Sequence, residues 1–208
     1  VRVAAWSAAT PLMADAALAR TVLDDLQACF ANELIVHPYR SMMKHLKTMH
    51  MQHESLREEI IAGMVKAARE QPIIEGYKIN VYINKIYEPL RYINMKKHPE
   101  HVVGMLEPIQ RIAKVMRGQQ CAWLLTGAKW GNIGLVGCAN KMGKDAAPVV
   151  ATIKAIIPEI EKVATGKQAK MINEALDAAR ACVATYEAKY GPVKPASDPR
   201  PVAVNAQK

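Results

Sequence analysis

Residues 121–145 read CAWLLTGAKWGNIGLVGCANKMGKD, and the fold turns on how this stretch is taken. It holds Gly127, Gly131, Gly134, Gly137 and Gly143 of the chain's eleven glycines, with Gly118 just ahead, and two of the three tryptophans. Glycine at this density means close backbone approach or torsions closed to other residues. Apolar residues fill the gaps between the glycines, which is too little polarity for a relaxed surface loop. The stretch is therefore either a tightly packed small-residue helix or an irregular crossover buried in a helical protein. The spacings Gly127-Ala128-x-x-Gly131 and Gly134-x-x-Gly137 would let neighbouring helices nearly touch, as small-residue faces do in membranes. Lys129, Asn132 and the glycines break the apolar run, so a simple membrane span is not expected. Trp123, Gly127, Trp130, Gly131, Gly134 and Gly137 are instead candidates for a packing face or an interface.

Outward from this stretch the periodicity is helical on both sides. Towards the C-terminus, Ile172, Leu176, Ala179, Val183, Tyr186 and Tyr190 keep a strict alternation of four and three, closed by Gly191-Pro192. Val149, Ile153, Ile156, Ile160 and Val163 form the helix before it, interrupted by Pro158. Towards the N-terminus, Val102, Met105, Leu106, Ile109, Ala113 and Met116 follow Pro99, with Pro108 as a kink. Residues 73–94 carry two patterns. Tyr77, Ile79, Val81 and Ile83 alternate like a strand, while Ile79, Ile83, Ile86, Leu90 and Ile93 make a longer helical seam, kinked near Pro89. Helix is the preferred reading. A helix from about Tyr39 to Glu70 is expected from Leu46, Met49, Leu56, Ile60, Met64 and Ala67, with His53 inside that line. The first helix starts at Thr10-Pro11 and carries Leu12, Ala16, Ala19, Leu23, Leu26 and Phe30.

The resulting expectation is an all-α fold, an irregular bundle of five to seven helices, several kinked at proline. Residues 1–9 form an extended N-terminal segment. Residues 10–190 form the helical domain, comprising histidine-bearing helices (10–117), the Gly-rich crossover (118–145) and a C-terminal helical hairpin (146–190). Residues 191–208 are an extended Pro-rich tail, whose Pro192 and Pro195 join the interface candidates. A single phenylalanine against eleven methionines, in a chain that is half hydrophobic, suits helix–helix packing rather than a sandwich or barrel.

The net charge of +9 fits an anionic partner and says nothing about fold. Basic residues gather at Lys44 and Lys47 and at Arg91, Lys96 and Lys97, beside acids and with few aromatics, a weak match to nucleic-acid readers. The opening VRVAAWSAA is basic and acid-free, like the flank of an organellar presequence. The four cysteines, Cys29, Cys121, Cys138 and Cys182, form no CxxC pair, so zinc-ribbon and thioredoxin-like readings fail and buried free thiols are expected.

Catalytic motifs are missing. Gly143-Lys144 has Cys138 where a P-loop needs glycine and Asp145 where it needs Ser or Thr. No serine sits in a Gly-x-Ser-x-Gly turn. Histidines are the one uneven feature: all six lie between His37 and His101. His50, His53 and Glu54 share one helical face at spacings that build metal sites inside bundles, and later helices offer only His98 and His101. The two-helix Glu-x-x-His pattern of di-iron bundles is not present.

These observations support a non-catalytic accessory subunit of a larger organellar assembly. The expected setting is mitochondrial, on the matrix side or against the inner membrane, soluble or peripheral. No cofactor is expected. The partners would be other protein subunits, with anionic lipid or a membrane subunit as a further contact and nucleic acid ranked below both. The first alternative is a helical-bundle metal-binding protein or enzyme with His and Glu ligands. The second is a basic protein associated with an organellar ribosome or nucleic acid.

Overall fold

The computed structural model describes residues 15–32, 36–70, 85–86, 89–127 and 133–199. Among these residues there are eight α-helices, further helical residues at 85–86 and 89–92, and no strand. In chain order they are α1 (Ala16–Asn32), α2 (Val36–Gln52), α3 (Arg57–Glu70), α4 (Pro99–Ala113), α5 (Gln119–Thr126), α6 (Leu135–Met142), α7 (Ala147–Glu161) and α8 (Ala169–Tyr190). The expected all-helical class holds. The question of strand against helix at 77–84 lies outside the described residues, as do the Thr10-Pro11 helix start and the end of the tail. No described helix is long and apolar enough to cross a membrane. The chain divides into two compact units, Val1–Lys85 and Ile86–Lys208.

In the first unit α1 packs on α2 and α3. Asp15 caps α1, its Oδ1 accepting the amides of Ala17 (2.9 Å) and Leu18 (3.0 Å), which satisfies donors that have no carbonyl partner in a first turn. Ala19, Leu23 and Leu26 of α1 are fully buried, whereas Ala16 is exposed. Gln27 Nε2 donates to the Glu59 carbonyl at 3.1 Å and Arg20 Nη1 meets Glu59 Oε1 at 2.7 Å, fixing α1 against the first turns of α3.

The continuous helix expected from Tyr39 to Glu70 is not found. It breaks at His53, which is extended (φ −120°, ψ 96°), and a short 3-10 turn, Glu54–Leu56, precedes α3. The break has a local cause. Arg57 folds back so that its Nε donates to the His50 carbonyl at 2.9 Å and its Nη2 reaches the Met51 carbonyl at 3.5 Å, serving carbonyls of the last turn of α2. Glu54, Glu58 and Glu59 then stand at the start of the next helical segment, where the positive end of the helix dipole favours carboxylates. The apolar line survives the break: Leu46, Met49, Leu56, Ile60, Met64 and Ala67 are all buried, and so is His53.

The second unit is built around α7 and α8. α4 and α6 pack on α7, and α5 packs on α8. The predicted seams of α4 and α8 are buried except for Tyr190, 43% exposed, and Val163 falls just past α7, half-buried. α4 and α7 carry Pro108 and Pro158 internally, each removing one ladder hydrogen bond. The Gly-rich stretch resolves into two short helices. α5 ends at Gly127, α6 begins at Gly134 and ends at Gly143, and a 3-10 turn leads into α7. Cys121, Leu124, Leu125, Leu135 and Cys138 are buried in this unit's core.

The tail is not free in its first residues. Lys154 Nζ binds both Glu187 Oε1 (2.7 Å) and the Val193 carbonyl (2.6 Å). The Val193 amide donates to Glu187 at 2.9 Å, and the Ala196 amide donates to the Ala151 carbonyl at 2.9 Å. Lys114 Nζ reaches Asp198 at 3.0 Å. The Glu187 carboxyl is held below the usual carboxylate range, first by Lys154 and then by the Val193 amide.

Candidate functional site

The residues that combine ligand chemistry with a defined geometry stand at the start of α4. Asn94 organises the approach: its carbonyl accepts the amides of Lys97 (3.0 Å) and His98 (2.8 Å), and its Oδ1 lies 3.3 Å from the Lys97 amide. Pro99, with its torsion already suited to a first turn, then starts the helix, leaving His98 as the residue before it. His98 Nδ1 lies 3.0 Å from Glu100 Oε1. One turn on, His101 returns to the same side, its amide donating to the His98 carbonyl at 3.3 Å. The two imidazoles have centroids 5.6 Å apart and planes inclined by 35°, and a ring nitrogen of each lies within 4.8 Å of the other's.

Both imidazoles are half-buried and Glu100 is exposed. The Glu100 carboxyl is held below its ordinary range, first by its own backbone amide and then by His98 and His101. This is the arrangement in which a carboxylate fixes the orientation of one imidazole while its second nitrogen is turned elsewhere. Two imidazoles so placed could serve as ligands to a metal ion.

The triad expected from the sequence, His50, His53 and Glu54, is spread over the end of α2, the break and the 3-10 turn. The helical register that would place the three on one face is therefore lost at His53. Glu54 points to solvent and lies 3.8 Å from Arg57. His45, between Lys44 and Lys47 on α2, is buried. Its pKa is lowered by burial first and by Lys44 second, so the ring is neutral at pH 7. His50 is lowered by burial and by Arg57, with Glu58 opposing.

Among the interface candidates, Trp123 is half-buried, Gly127 closes α5, and Gly134 opens α6 with Gly137 inside it. Pro192 and Pro195 are exposed along the docked tail, while Trp130 and Gly131 lie outside the described residues. Lys44 and Lys47 are exposed on α2, and Arg91, Lys96 and Lys97 are exposed in the second unit. All four cysteines are free thiols. Burial pushes Cys121 up to about 11 and Cys138 up to about 12, which keeps both protonated and poor as nucleophiles or ligands.

Sequence reasoning met His98 and His101 and passed over Glu100, which makes the pair a unit. The signal was present as His-Pro-Glu-His across a helix start, where the proline fixes the register between the two rings. No family model, no curated protein and no solved structure matches this chain.

Proposed function

We propose that this protein binds a divalent transition metal of the zinc class through His98 and His101. The observation that carries the reading is the pair of imidazoles one turn apart, with Glu100 Oε1 3.0 Å from His98 Nδ1. Imidazole nitrogens hold zinc at about 2.0–2.1 Å. Two such bonds to one ion bring the donor atoms together by small side-chain rotations from within 4.8 Å. A carboxylate on the other nitrogen of His98 fixes the tautomer and raises ligand basicity. Two protein ligands leave coordination positions for water or a further donor, so the expected site is exchangeable and distinct from a closed structural one. Titration of the full chain with Zn²⁺ by calorimetry, and with Co²⁺ by visible absorption, should give one equivalent bound. The H98A/H101A variant should lose it, and Glu100→Gln should weaken it about tenfold, the lower end of outer-partner effects. No binding by the parent chain, or equal binding by the double variant, overturns the reading.

The second reading, an accessory subunit of a larger, mitochondrial assembly, is favoured by the +9 charge. Its partners would be acidic protein surfaces or anionic lipid. Migration of the native protein as a monomer in a gentle extract would remove it.

A further inference from the structure

A groove of about 910 Å³ runs between α5 and the start of α8, within the second unit. Its floor is apolar: Ala122 and Ala175 are buried, and the half-buried indole of Trp123 faces it together with Met171, which is 42% exposed. Its rim is polar and carries Lys167, Lys170, Gln119 and Gln168. Among the described residues Lys167 and Lys170 have no ion-pair partner, and Glu174 is the single acid lining the groove. Some cations of this unit are paired, as in Lys154–Glu187 (2.7 Å), Lys162–Glu159 (2.9 Å) and Arg180–Asp177 (2.8 Å), and the two groove lysines are not among them. The groove thus keeps an excess of positive charge, two lysines against Glu174, over an apolar floor.

α8 begins at this groove without a side-chain cap at its first turn, so its amide end contributes positive potential there, whereas α5 brings both its first turn (Gln119) and its carbonyl end (Thr126, Gly127) to the lining. The volume suits a small molecule, since ligand pockets of this kind run to several hundred Å³ and combine apolar walls with a few placed polar groups.

We infer that this groove binds a small organic anion with an apolar body, its acid group at Lys167 and Lys170 and its body on Trp123 and Met171. The two glutamine amides can donate to the same acid group. The site is separate from the histidine pair and stands whether or not that pair holds metal. Charge complementarity decides the class of ligand: a neutral apolar molecule would gain the floor and forgo both lysines.

The test uses the full chain and two probes of nearly equal shape, 2-naphthoate and 2-naphthalenemethanol, titrated by calorimetry and by amide and indole NMR shifts. Naphthoate should bind more tightly and perturb Trp123, Gln119, Gln168 and Met171. The exposed-site variant K167Q/K170Q should weaken naphthoate about tenfold or more, the scale of hydrogen bonds to charged groups, and leave the alcohol unchanged. K141Q/K189Q removes the same net charge away from the groove and should change neither by more than about twofold, since exposed distant charges are screened. Equal binding of acid and alcohol, no binding of either, or equal loss in the two double variants overturns the inference. An acidic peptide that displaces no naphthoate yet needs Lys167 and Lys170 also overturns it, in favour of a protein partner.

Discussion

The chain interrupts its helices in two ways, and the His53 break and the Gly-rich crossover show the contrast. At His53 there is neither glycine nor proline. The backbone stays in an ordinary extended conformation, and the ends are settled by side chains, with Arg57 on the carbonyls of α2 and acids at the start of the next segment. In the crossover the backbone itself does the work. Gly143 takes φ +60° with nothing within 4 Å of an added Cβ, whereas an added Cβ on Gly134 would overlap the Gly127 amide and lie 2.5 Å from the Leu125 carbonyl. A break made by side chains is adjustable. A break made by missing side chains is not.

The largest effect should therefore come from Gly134→Ala. Its clash is with backbone on the closing residues of α5, which cannot rotate away, so α5 and α6 must separate. The expected loss is about 3 kcal/mol, the upper range of overpacking. Gly143→Ala has free space and only a torsion to resist, worth about 1–2 kcal/mol. Urea unfolding of both variants checks the order. Equal losses at the two positions would mean that torsion, and not space, governs the crossover.

The side-chain break is tested at Arg57. Arg57→Met keeps the apolar stem and removes the donors to the His50 and Met51 carbonyls. Those groups sit near solvent, so the expected loss is about 1 kcal/mol, the ordinary net value of an intramolecular hydrogen bond. Hydrogen exchange should rise in the last turn of α2 and the 3-10 turn while α8 is unchanged. Protection that rose or held steady there would show that the break is set by packing of the His53 ring instead.

This contrast also explains what could be read from the chain beforehand. Seams such as Ile172–Tyr186 are legible because burial repeats with the helical period, and α8 needs no distant partner to declare itself. The break at His53 was hidden because Met49, His53, Leu56 and Ile60 keep spacings of four, three and four. A single 3-10 turn shifts the register too little to move the buried face. Its trace was electrostatic: Glu54, Glu58 and Glu59 mark a helix start. The splitting of residues 121–145 into α5 and α6 was half legible, since Gly134 declares close approach without naming Gly127 and Leu125 as what it approaches. The histidine pair was visible as residues. Its unity depends on how Pro99 sets the register between His98, Glu100 and His101, which composition and periodicity do not weigh.

The smallest expected effect is a pH dependence confined to the side-chain break and its helix. His45 and His50 on α2 both have lowered pKa values, by burial first, with Lys44 and Arg57 as second causes. The unfolded chain therefore takes up protons at about 6.5, the ordinary imidazole value, before the folded one does. Stability is full above that pH and falls as the pH drops below it towards the folded values. Carboxylates titrate lower still, so the window from about 7.5 down to 5.5 isolates imidazoles. Melting temperature should fall across that window, and His45→Met should flatten part of the slope by removing the more buried ring. Arg57→Met should flatten it less, because it relieves His50 of one repelling cation and leaves the burial of both rings in place. A slope untouched by His45→Met would assign the pH dependence to the remaining imidazoles, His50 on the same helix among them, and would show that burial of the His45 ring carries none of it.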